Sequence, residues 1–142
     1  MSLKLPVTLI IADFSPRVSI TDCLKNIDSW SPQKIIVSNN LKNKDLLSKY
    51  PSFQFVYCES KSIFQLWSIG VKESKTRWNL LIASNEVVTG RLKISIENKI
   101  KNNSSTEKLF KINKKVIFLK KILKYPLEWI CEFPSSLVFI PE

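Results

Sequence analysis

The residues that could do chemistry follow an apolar run near the middle of the chain. Residues 78–88 read Trp-Asn-Leu-Leu-Ile-Ala-Ser-Asn-Glu-Val-Val, so an apolar strand ends at a polar step and a helical pattern follows. At this step Asn85 offers an amide oxygen and Glu86 offers a carboxylate. Ligands of α/β proteins bind beside the carboxyl ends of the strands, so this strand end is the first candidate site.

Missing residue types exclude several kinds of active site. The chain has no histidine, which rules out Ser-His-Asp and Cys-His catalysis and histidine-bound metals. Only two glycines occur, Gly70 and Gly90, so neither a P-loop nor a G-x-G-x-x-G turn can form. Phosphate would have to be bound by helix N-termini, Lys or Arg. The three isolated cysteines, Cys23, Cys58 and Cys131, indicate reduced, buried thiols.

Length and composition favour one globular domain. A chain of 142 residues can bury a core, and 44% hydrophobic residues is a globular rather than a disordered composition. No apolar run approaches the roughly 20 residues of a membrane span, and the N-terminus lacks a secretory leader. We therefore expect a cytoplasmic protein, and peripheral attachment to the inner face of the membrane remains open.

The positive charge is concentrated late in the chain. Residues 99–124 contain nine lysines and one acid, Glu107, and so carry +8 of the net charge of +10. This Lys-rich block could be a solvated face, or it could bind an anionic membrane surface or a phosphorylated saccharide acceptor. A nucleic-acid partner is disfavoured because the block has no Arg, which nucleic-acid surfaces prefer.

Apolar strands and helical patterns alternate four times before residue 101. We predict strands at 7–12, 34–38, 53–58 and 78–83, and helices that start near residues 20, 46, 62 and 89, the first capped by residues 19–22. The alternation predicts an α/β fold with a largely parallel sheet. Beyond a polar loop at 101–105 we predict a strand at 109–112, a short helix at 116–123 and a strand at 137–140.

The order of these segments resembles the nucleotide-binding half of family 2 glycosyltransferases. Residues 78–88 are similar to the family's W-x-L-x-L-D-A-D-E-x-x. Residues 112–122 and the following Tyr125-Pro126 are similar to the I-P-R-K-N-F-F-L-G-K-W-I and Y-P-D segments of the bacterial lipopolysaccharide-core enzymes of this family. The resemblance implies a GT-A-like (Rossmann-like), mostly parallel sheet flanked by helices. It also implies a single domain, shorter than usual, with a nucleotide-binding half at 1–100 and a Lys-rich, truncated acceptor-side segment at 101–142.

The same resemblance assigns nucleotide-binding roles to the first two strand ends. Asp13 and Phe14 stand at the end of the first strand, where the family has P-T-Y-N and lines the nucleoside pocket. Ser38 and Asn39 stand where the family has D-x-G-S and a carboxylate that reads uracil. Ser38 and Asn39 would therefore contact the base as neutral hydrogen-bonding groups.

The resemblance is broken where the family binds its metal ion. Ala83 and Asn85 replace the two aspartates of the D-x-D motif, and Mg²⁺ or Mn²⁺ prefers carboxylate ligands. We therefore expect no metal site. Asn85 and Glu86 would instead contact the nucleotide, and Glu86 could also be an acid at the helix cap near Thr89. The resemblance also implies a general base in the acceptor half; Glu128 is the candidate, with Glu132 close by, and both could equally be surface acids.

Three functions remain open at this point. The first is a family 2 glycosyltransferase-like protein that binds a UDP-sugar or another sugar nucleotide and transfers a glycosyl group to a cell-surface saccharide or lipid-linked acceptor. The second is a non-catalytic pseudo-glycosyltransferase that serves as a partner or regulatory module. The third, which the charge pattern favours least, is a basic nucleic-acid-binding protein.

Overall fold

The first strand of the chain forms the centre of the structure. The computed structural model describes residues 6–14, 20–102, 109–112, 117–118, 121–122 and 136–139. The strands are β1 (Val7–Asp13), β2 (Gln33–Ser38), β3 (Phe53–Tyr57), β4 (Trp78–Ala83), β5 (Leu109–Lys111), β6 (Ile117–Phe118), β7 (Lys121–Ile122) and β8 (Ser136–Phe139). The helices are α1 (Thr21–Ile27), α2 (Ile63–Glu73) and α3 (Gly90–Lys101), and a 3-10 helix spans Leu41–Ser48.

The main sheet has the strand order β3-β2-β1-β4-β8-β5. Strands β1 to β4 are parallel to one another, whereas β8 is antiparallel to both β4 and β5. The chain moves outward from β1 to β2 and β3, and then returns to the other side of β1 to form β4. The carboxyl ends of β1 and β4 are therefore the topological switch point, where open α/β sheets bind ligands.

Helices cover both faces of the sheet. All seven residues of β1 are buried, as expected for a β-branched, apolar strand inside a parallel sheet. On one face Leu9 and Ile11 pack with residues of α1 and α3, and on the other Ile10 and Ala12 pack with α2. The predicted α/β class with a mostly parallel sheet and flanking helices is confirmed.

The predicted elements before residue 101 lie close to the observed ones. Strand β4 has the predicted bounds, and α3 begins where expected because the Thr89 Oγ1 accepts a hydrogen bond from the Leu92 N–H at 3.3 Å. At α1 the residue in the cap position is Ile20, and no side chain caps the helix there. Burial of Cys23 and its apolar neighbours, rather than a cap, holds this short helix against the sheet.

One predicted element is wrong. Residues 116–123 were expected to form a short helix, but within them the structure has the strands β6 and β7, which pair in antiparallel fashion. Ile117 and Phe118 have high strand propensity, and here that propensity outweighs the helical spacing of the apolar residues. The predicted strands near residues 109 and 137 are confirmed as β5 and β8.

A buried lysine joins α1 to β2. Lys34 is 3% exposed, and its ammonium group donates to the carbonyl oxygens of Asp28 and Ser31, the latter at 3.2 Å. Its Nζ also lies 5.3 Å from the centre of the Phe53 ring, within range of a cation–π contact. These carbonyls follow the last turn of α1, where a positive charge is favoured by the helix dipole.

Gly70 sets the distance between α2 and the sheet. A Cβ at this position would overlap the Ile10 side chain and lie 3.2 Å from Val37 Cγ2. Gly70→Ala should therefore lower the free energy of unfolding. Overpacking of the core costs about 1–3 kcal/mol, which exceeds the roughly 1 kcal/mol that Ala gains in helix propensity. Urea denaturation followed by circular dichroism measures the change.

Ser68→Ala is the matched control, since Ser68 lies on the exposed side of the same helix. That variant should be at least as stable as the natural chain, because Ala is the better helix former. Equal stability of the two variants would show that α2 can move away from β1 at no cost.

Candidate functional site

Polar side chains from three strand ends meet at the switch point. Asp13 at the end of β1 is in register with Ser38 at the end of β2. On the other side of β1, the Ser84 N–H donates to the Ala12 carbonyl at 3.0 Å, which places Ser84 beside Asp13 just beyond β4. The carboxyl edge of β2, β1 and β4 thus carries a hydroxyl, a carboxylate and a second hydroxyl in succession.

The Asp13 carboxylate organises the β1–β2 side of this edge. It is 2% exposed, and its Oδ2 accepts hydrogen bonds from Ser38 Oγ at 2.7 Å and from Asn43 Nδ2. Ser38 Oγ in turn accepts from the Asn40 N–H at 3.0 Å. The carboxylate that the D-x-G-S resemblance expects at residue 38 is absent, but Asp13 on the adjacent strand brings a carboxylate to the same place.

Phe14 and Asn39 continue the first two strands. Phe14 is half-buried and packs against the apolar cluster under α2. Asn39 is also half-buried; its Nδ2 donates to the Ser60 carbonyl at 3.2 Å, and its N–H donates to the Asp13 carbonyl at 3.3 Å. Both residues lie at the predicted edge, where Asn39 ties together the loops that follow β2 and β3.

The segment after β4 divides into buried and exposed positions. Ala83 is 1% exposed and belongs to the core cluster that contains Trp67, so an aspartate there would place its carboxylate in the apolar core. Asn85 is exposed. Glu86 is half-buried, and its Oε2 accepts from the Ala83 N–H at 3.1 Å. Thr89, rather than Glu86, supplies the side-chain cap of α3.

Ser84 is the feature that sequence reasoning missed. It is 1% exposed, and its Oγ has no hydrogen-bond partner in the described part of the chain. A buried hydroxyl without a partner costs about 1–3 kcal/mol, so native proteins retain few of them, commonly at functional positions. Strand alternation could have revealed it, because residue 84 continues the inward-facing series of Leu80 and Ile82.

Two carboxylates influence a buried thiol between them. Burial, and to a smaller extent the nearby charges of Glu86 and then Asp13, together raise the pKa of Cys23 from its ordinary value of 9.0 to about 12. The thiol lies 3.9 Å from the Ala83 carbonyl oxygen. Cys23 is therefore a protonated, inert side chain that forms the floor of the site beneath both strand ends.

The donor set does not fit a divalent cation. Ala83 has no oxygen donor in its side chain and Asn85 has only a neutral one, while one Glu86 oxygen is bonded to the Ala83 N–H. Among the residues described, no three Cys, Asp or Glu side chains lie close enough together to hold a metal ion. We therefore assign no chemical step to a metal ion, and the absence of a Mg²⁺ or Mn²⁺ cofactor stays a prediction.

Two other predicted features fall largely outside the described residues. Glu128, the candidate general base, is one of them, and so is most of the Lys-rich block at 99–124. The exceptions among its lysines are Lys99 and Lys101 in the last turn of α3, Lys111 in β5 and Lys121 in β7. Binding of this block to a membrane, a saccharide acceptor or nucleic acid stays a prediction.

A concave surface lies at the opposite end of the sheet. It has a volume of about 410 Å³ and is lined by polar residues near the amino ends of β2 and β3, including Gln33, Gln54 and Thr76. Gln33 Oε1 already accepts from Thr8 Oγ1 at 2.9 Å and from the Lys75 N–H at 2.8 Å. Because these groups bind one another, we place the functional site at the carboxyl edge.

Two solved structures share the fold of this chain. S. aureus TarS 1-349 matches with a TM-score of 0.56 and 11% identity over 70% of this chain and 32% of that one. The bifunctional IspDF from Campylobacter jejuni matches with a TM-score of 0.59 and 11% identity over 94% of this chain and 40% of that one. The chain thus spans about a third of TarS 1-349 and two fifths of IspDF.

These likenesses define a class of fold. The chain has a GT-A-like α/β fold, with a mostly parallel sheet flanked by helices. No protein-family model matches the sequence, and no curated protein matches it. Of the helices in the described ranges, none combines the length and apolar composition that a membrane span requires.

Cys23 should resist iodoacetamide at about pH 8 in the folded chain, because the thiolate is the reactive form and a pKa of about 12 keeps the thiol protonated. The folded pKa exceeds the ordinary value, so this group lowers stability as the pH rises from about 9 towards 12. Cys23→Ala should remove that contribution. Alkylation mapped by mass spectrometry and urea denaturation at several pH values measure both effects.

Cys58 provides the internal control because it is only half-buried. It should be alkylated well before Cys23 in the folded chain, and at a comparable rate in urea. Equal alkylation of the two thiols in the folded chain would contradict the assigned environment of Cys23.

Proposed function

We propose that this chain is a family 2 glycosyltransferase-like protein that binds a sugar nucleotide, such as a UDP-sugar, at the carboxyl edge of β1, β2 and β4. The observation that carries the proposal is the alignment of Ser38, Asp13 and Ser84 at the switch point. Asp13 and Ser38 are fixed by their mutual hydrogen bond, and Ser84 is a buried hydroxyl with no partner among the described residues.

The nucleoside is assigned to the β1–β2 side. Asp13 Oδ2 holds Ser38 and Asn43 in place, so it acts as a positioning residue. Phe14 and Asn39 are more accessible than Asp13 and form the adjoining surface. Fixed polar groups suit the polar edge of a base and the hydroxyl groups of a ribose, and an aromatic side chain suits the flat face of the base.

The diphosphate is assigned to the β4 side, between Ser84 and the start of α3. A helix N-terminus favours anions, and α3 begins at Gly90, shortly after the strand end. Arg91 is exposed in the first turn of α3 and can supply positive charge in the place of a metal ion. Arg77 cannot do so, because it precedes β4 and lies about 20 Å away along a strand of six residues.

Glycosyl transfer requires a base that activates the acceptor hydroxyl, and we assign this role to Glu128. The base removes the hydroxyl proton as the acceptor oxygen bonds to the anomeric carbon. The bond from that carbon to the diphosphate breaks, and the nucleoside diphosphate leaves. The acceptor we propose is a cell-surface saccharide or a lipid-linked saccharide, with the Lys-rich block facing its anionic groups.

A second candidate function is a non-catalytic module that binds the sugar nucleotide but transfers nothing. It is favoured by the burial of Ala83, which leaves the site without the D-x-D carboxylates and without room for one at this position. Release of UDP from UDP-sugars in the presence of saccharide acceptors distinguishes the two. Glu128→Gln should abolish the release in the first case, whereas the second case gives none in either protein.

UDP should bind equally well in EDTA and in Mn²⁺, because the edge lacks the carboxylates of a metal site. Arg91→Gln should weaken this binding, since it removes a positive charge in the first turn of α3, beside the assigned diphosphate position. Isothermal titration calorimetry with UDP under both conditions makes the comparison.

Arg77→Gln is the matched control, as it removes the same charge at the far end of β4 and should leave the affinity unchanged. Binding that requires Mn²⁺, or equal loss in the two arginine variants, would contradict the assigned site. No binding of any nucleotide would overturn the proposed function.

Ser84→Ala should weaken UDP binding about fivefold, as expected for the loss of one hydrogen bond of about 1 kcal/mol. The free protein should be as stable as before or more stable, because the Ser84 hydroxyl has no partner among the described residues. Calorimetric titration and urea denaturation of the same samples give the two values.

Ser31→Ala is a control with the opposite expectation. Ser31 is also fully buried, but it lies at the amino end of the sheet, and its Oγ bonds to the carbonyls of Val7 and Gln33. This variant should lose about 1–2 kcal/mol of stability and keep its affinity. A Ser84→Ala variant that loses stability but not affinity would make Ser84 a structural residue.

A further inference from the structure

Strand β3 is an outer edge of the main sheet as described. It pairs with β2 on one side, and the described residues place no strand on its other side. Its side chains are partly accessible there: Gln54 and Tyr57 are exposed, and Phe55 and Val56 are half-buried. An edge of this kind presents main-chain groups to any strand that approaches it.

The backbone groups that face outward follow from the ladder. The Cys58 N–H donates to the Ser38 carbonyl at 2.9 Å, which continues the β2–β3 pairing by one residue. In a parallel strand the N–H and C=O of one residue point to the same side, and the sides alternate along the chain. Residues 54, 56 and 58 therefore face β2, while Phe55 and Tyr57 direct their N–H and C=O groups away from it.

This edge lacks the usual protection against pairing. Natural edge strands are commonly blocked by Lys, Pro or a bulge, yet Phe53–Tyr57 contains neither residue type and pairs with β2 in unbroken register. It also contains no Asp, Glu or Arg. Like charges that face each other across paired strands are destabilising, and a strand without charged side chains avoids this cost when it pairs with a second copy of itself.

We propose that β3 is a dimerisation edge that pairs with β3 of a second copy in antiparallel fashion, around a two-fold axis at Val56. In this register Phe55 lies opposite Tyr57 of the second copy, and each pair exchanges two N–H···O=C bonds. The two symmetric pairs give four main-chain hydrogen bonds. The main sheets of the two copies then form one continuous sheet.

The neighbouring register forms the same number of main-chain hydrogen bonds, but it uses the outward groups of Phe55 and Tyr57 less completely. An axis at Phe55 would place Phe53 opposite Tyr57, but the Phe53 N–H already donates to the Tyr50 carbonyl at 3.2 Å. The Tyr57 carbonyl would then have no donor opposite it. An axis at Val56 uses both groups of Phe55 and both groups of Tyr57, and it pairs two aromatic side chains across the strands on each side.

Cysteine cross-linking tests the register. Val56 would face itself in a non-hydrogen-bonded pair with about 4.5 Å between Cα atoms, a distance that a disulfide can span. Val56→Cys, in a chain that also carries Cys58→Ser and Cys131→Ser, should therefore form a covalent dimer with diamide as the oxidant. Non-reducing electrophoresis detects the dimer, and reduction should reverse it.

Gln54 supplies the matched control. Residue 54 would face residue 58 of the second copy and lie roughly 13 Å from its own counterpart, four residues away along the strand. Gln54→Cys in the same Cys58→Ser and Cys131→Ser background should give little dimer, although Gln54 is more exposed than Val56. With Cys58 retained, the same substitution should cross-link residue 54 to residue 58.

The mass in solution provides an independent measurement. Light scattering should give twice the 16.4 kDa of one chain at high concentration, falling toward 16.4 kDa on dilution. Tyr57→Lys should give the monomer mass. It replaces the aromatic side chain that faces Phe55 of the second copy, and it adds a positive charge to the edge of each copy. Phe64→Lys changes an aromatic residue on α2 that is even more exposed than Tyr57, and it should leave the dimer intact.

Three outcomes would overturn the proposal: a monomer at all concentrations, a dimer that survives Tyr57→Lys, or equal cross-linking of the Val56 and Gln54 variants in the Cys58→Ser background. The nucleotide titrations do not depend on any of these results. Failure of the dimer and failure of the proposed function are therefore separate findings.

Discussion

The pairing of β1 with β2 on one side and β4 on the other is the interaction on which the rest of the structure depends. Because β1 is buried along its whole length, its hydrogen bonds to both neighbours form away from water and are costly to break. The register of these two ladders fixes which residues meet at the carboxyl edge. A shift of one residue would turn Asp13 to the opposite face and separate it from Ser38 and Asn43.

The edge also shows how a site can keep its chemical groups while their positions change. By sequence position, the family pattern has a carboxylate at residue 38, where this chain has a serine. In three dimensions the Asp13 carboxylate lies 2.7 Å from that serine hydroxyl, so the acid and the hydroxyl meet across the β1–β2 ladder. At the end of β4 the loss is different, because Ala83 points into the core and the carboxylate that comes near it, that of Glu86, is bonded to the Ala83 N–H.

Sequence patterns predicted the elements whose apolar residues have a clear period, such as β4 and the inward face of α2. They misassigned residues 116–123, because a short run containing Ile117 and Phe118 suits a strand as well as a helix. At the site, the edge itself was predictable from the positions where the strands end. The Asn43 contact was not, because it depends on how a 3-10 helix folds back over β1, which no local pattern encodes.

The indole of Trp67 connects the edge to the opposite side of the sheet. Its Nε1 donates to the Ile82 carbonyl at 3.0 Å from within α2, and the Trp67 ring meets the exposed Phe64 ring edge-on at 6.0 Å. Any displacement of the last residues of β4 must stretch this bond or carry the helix along with it. The indole proton resonance and the environment of Phe64 are therefore natural spectroscopic reporters, on the far face, of events at the end of β4.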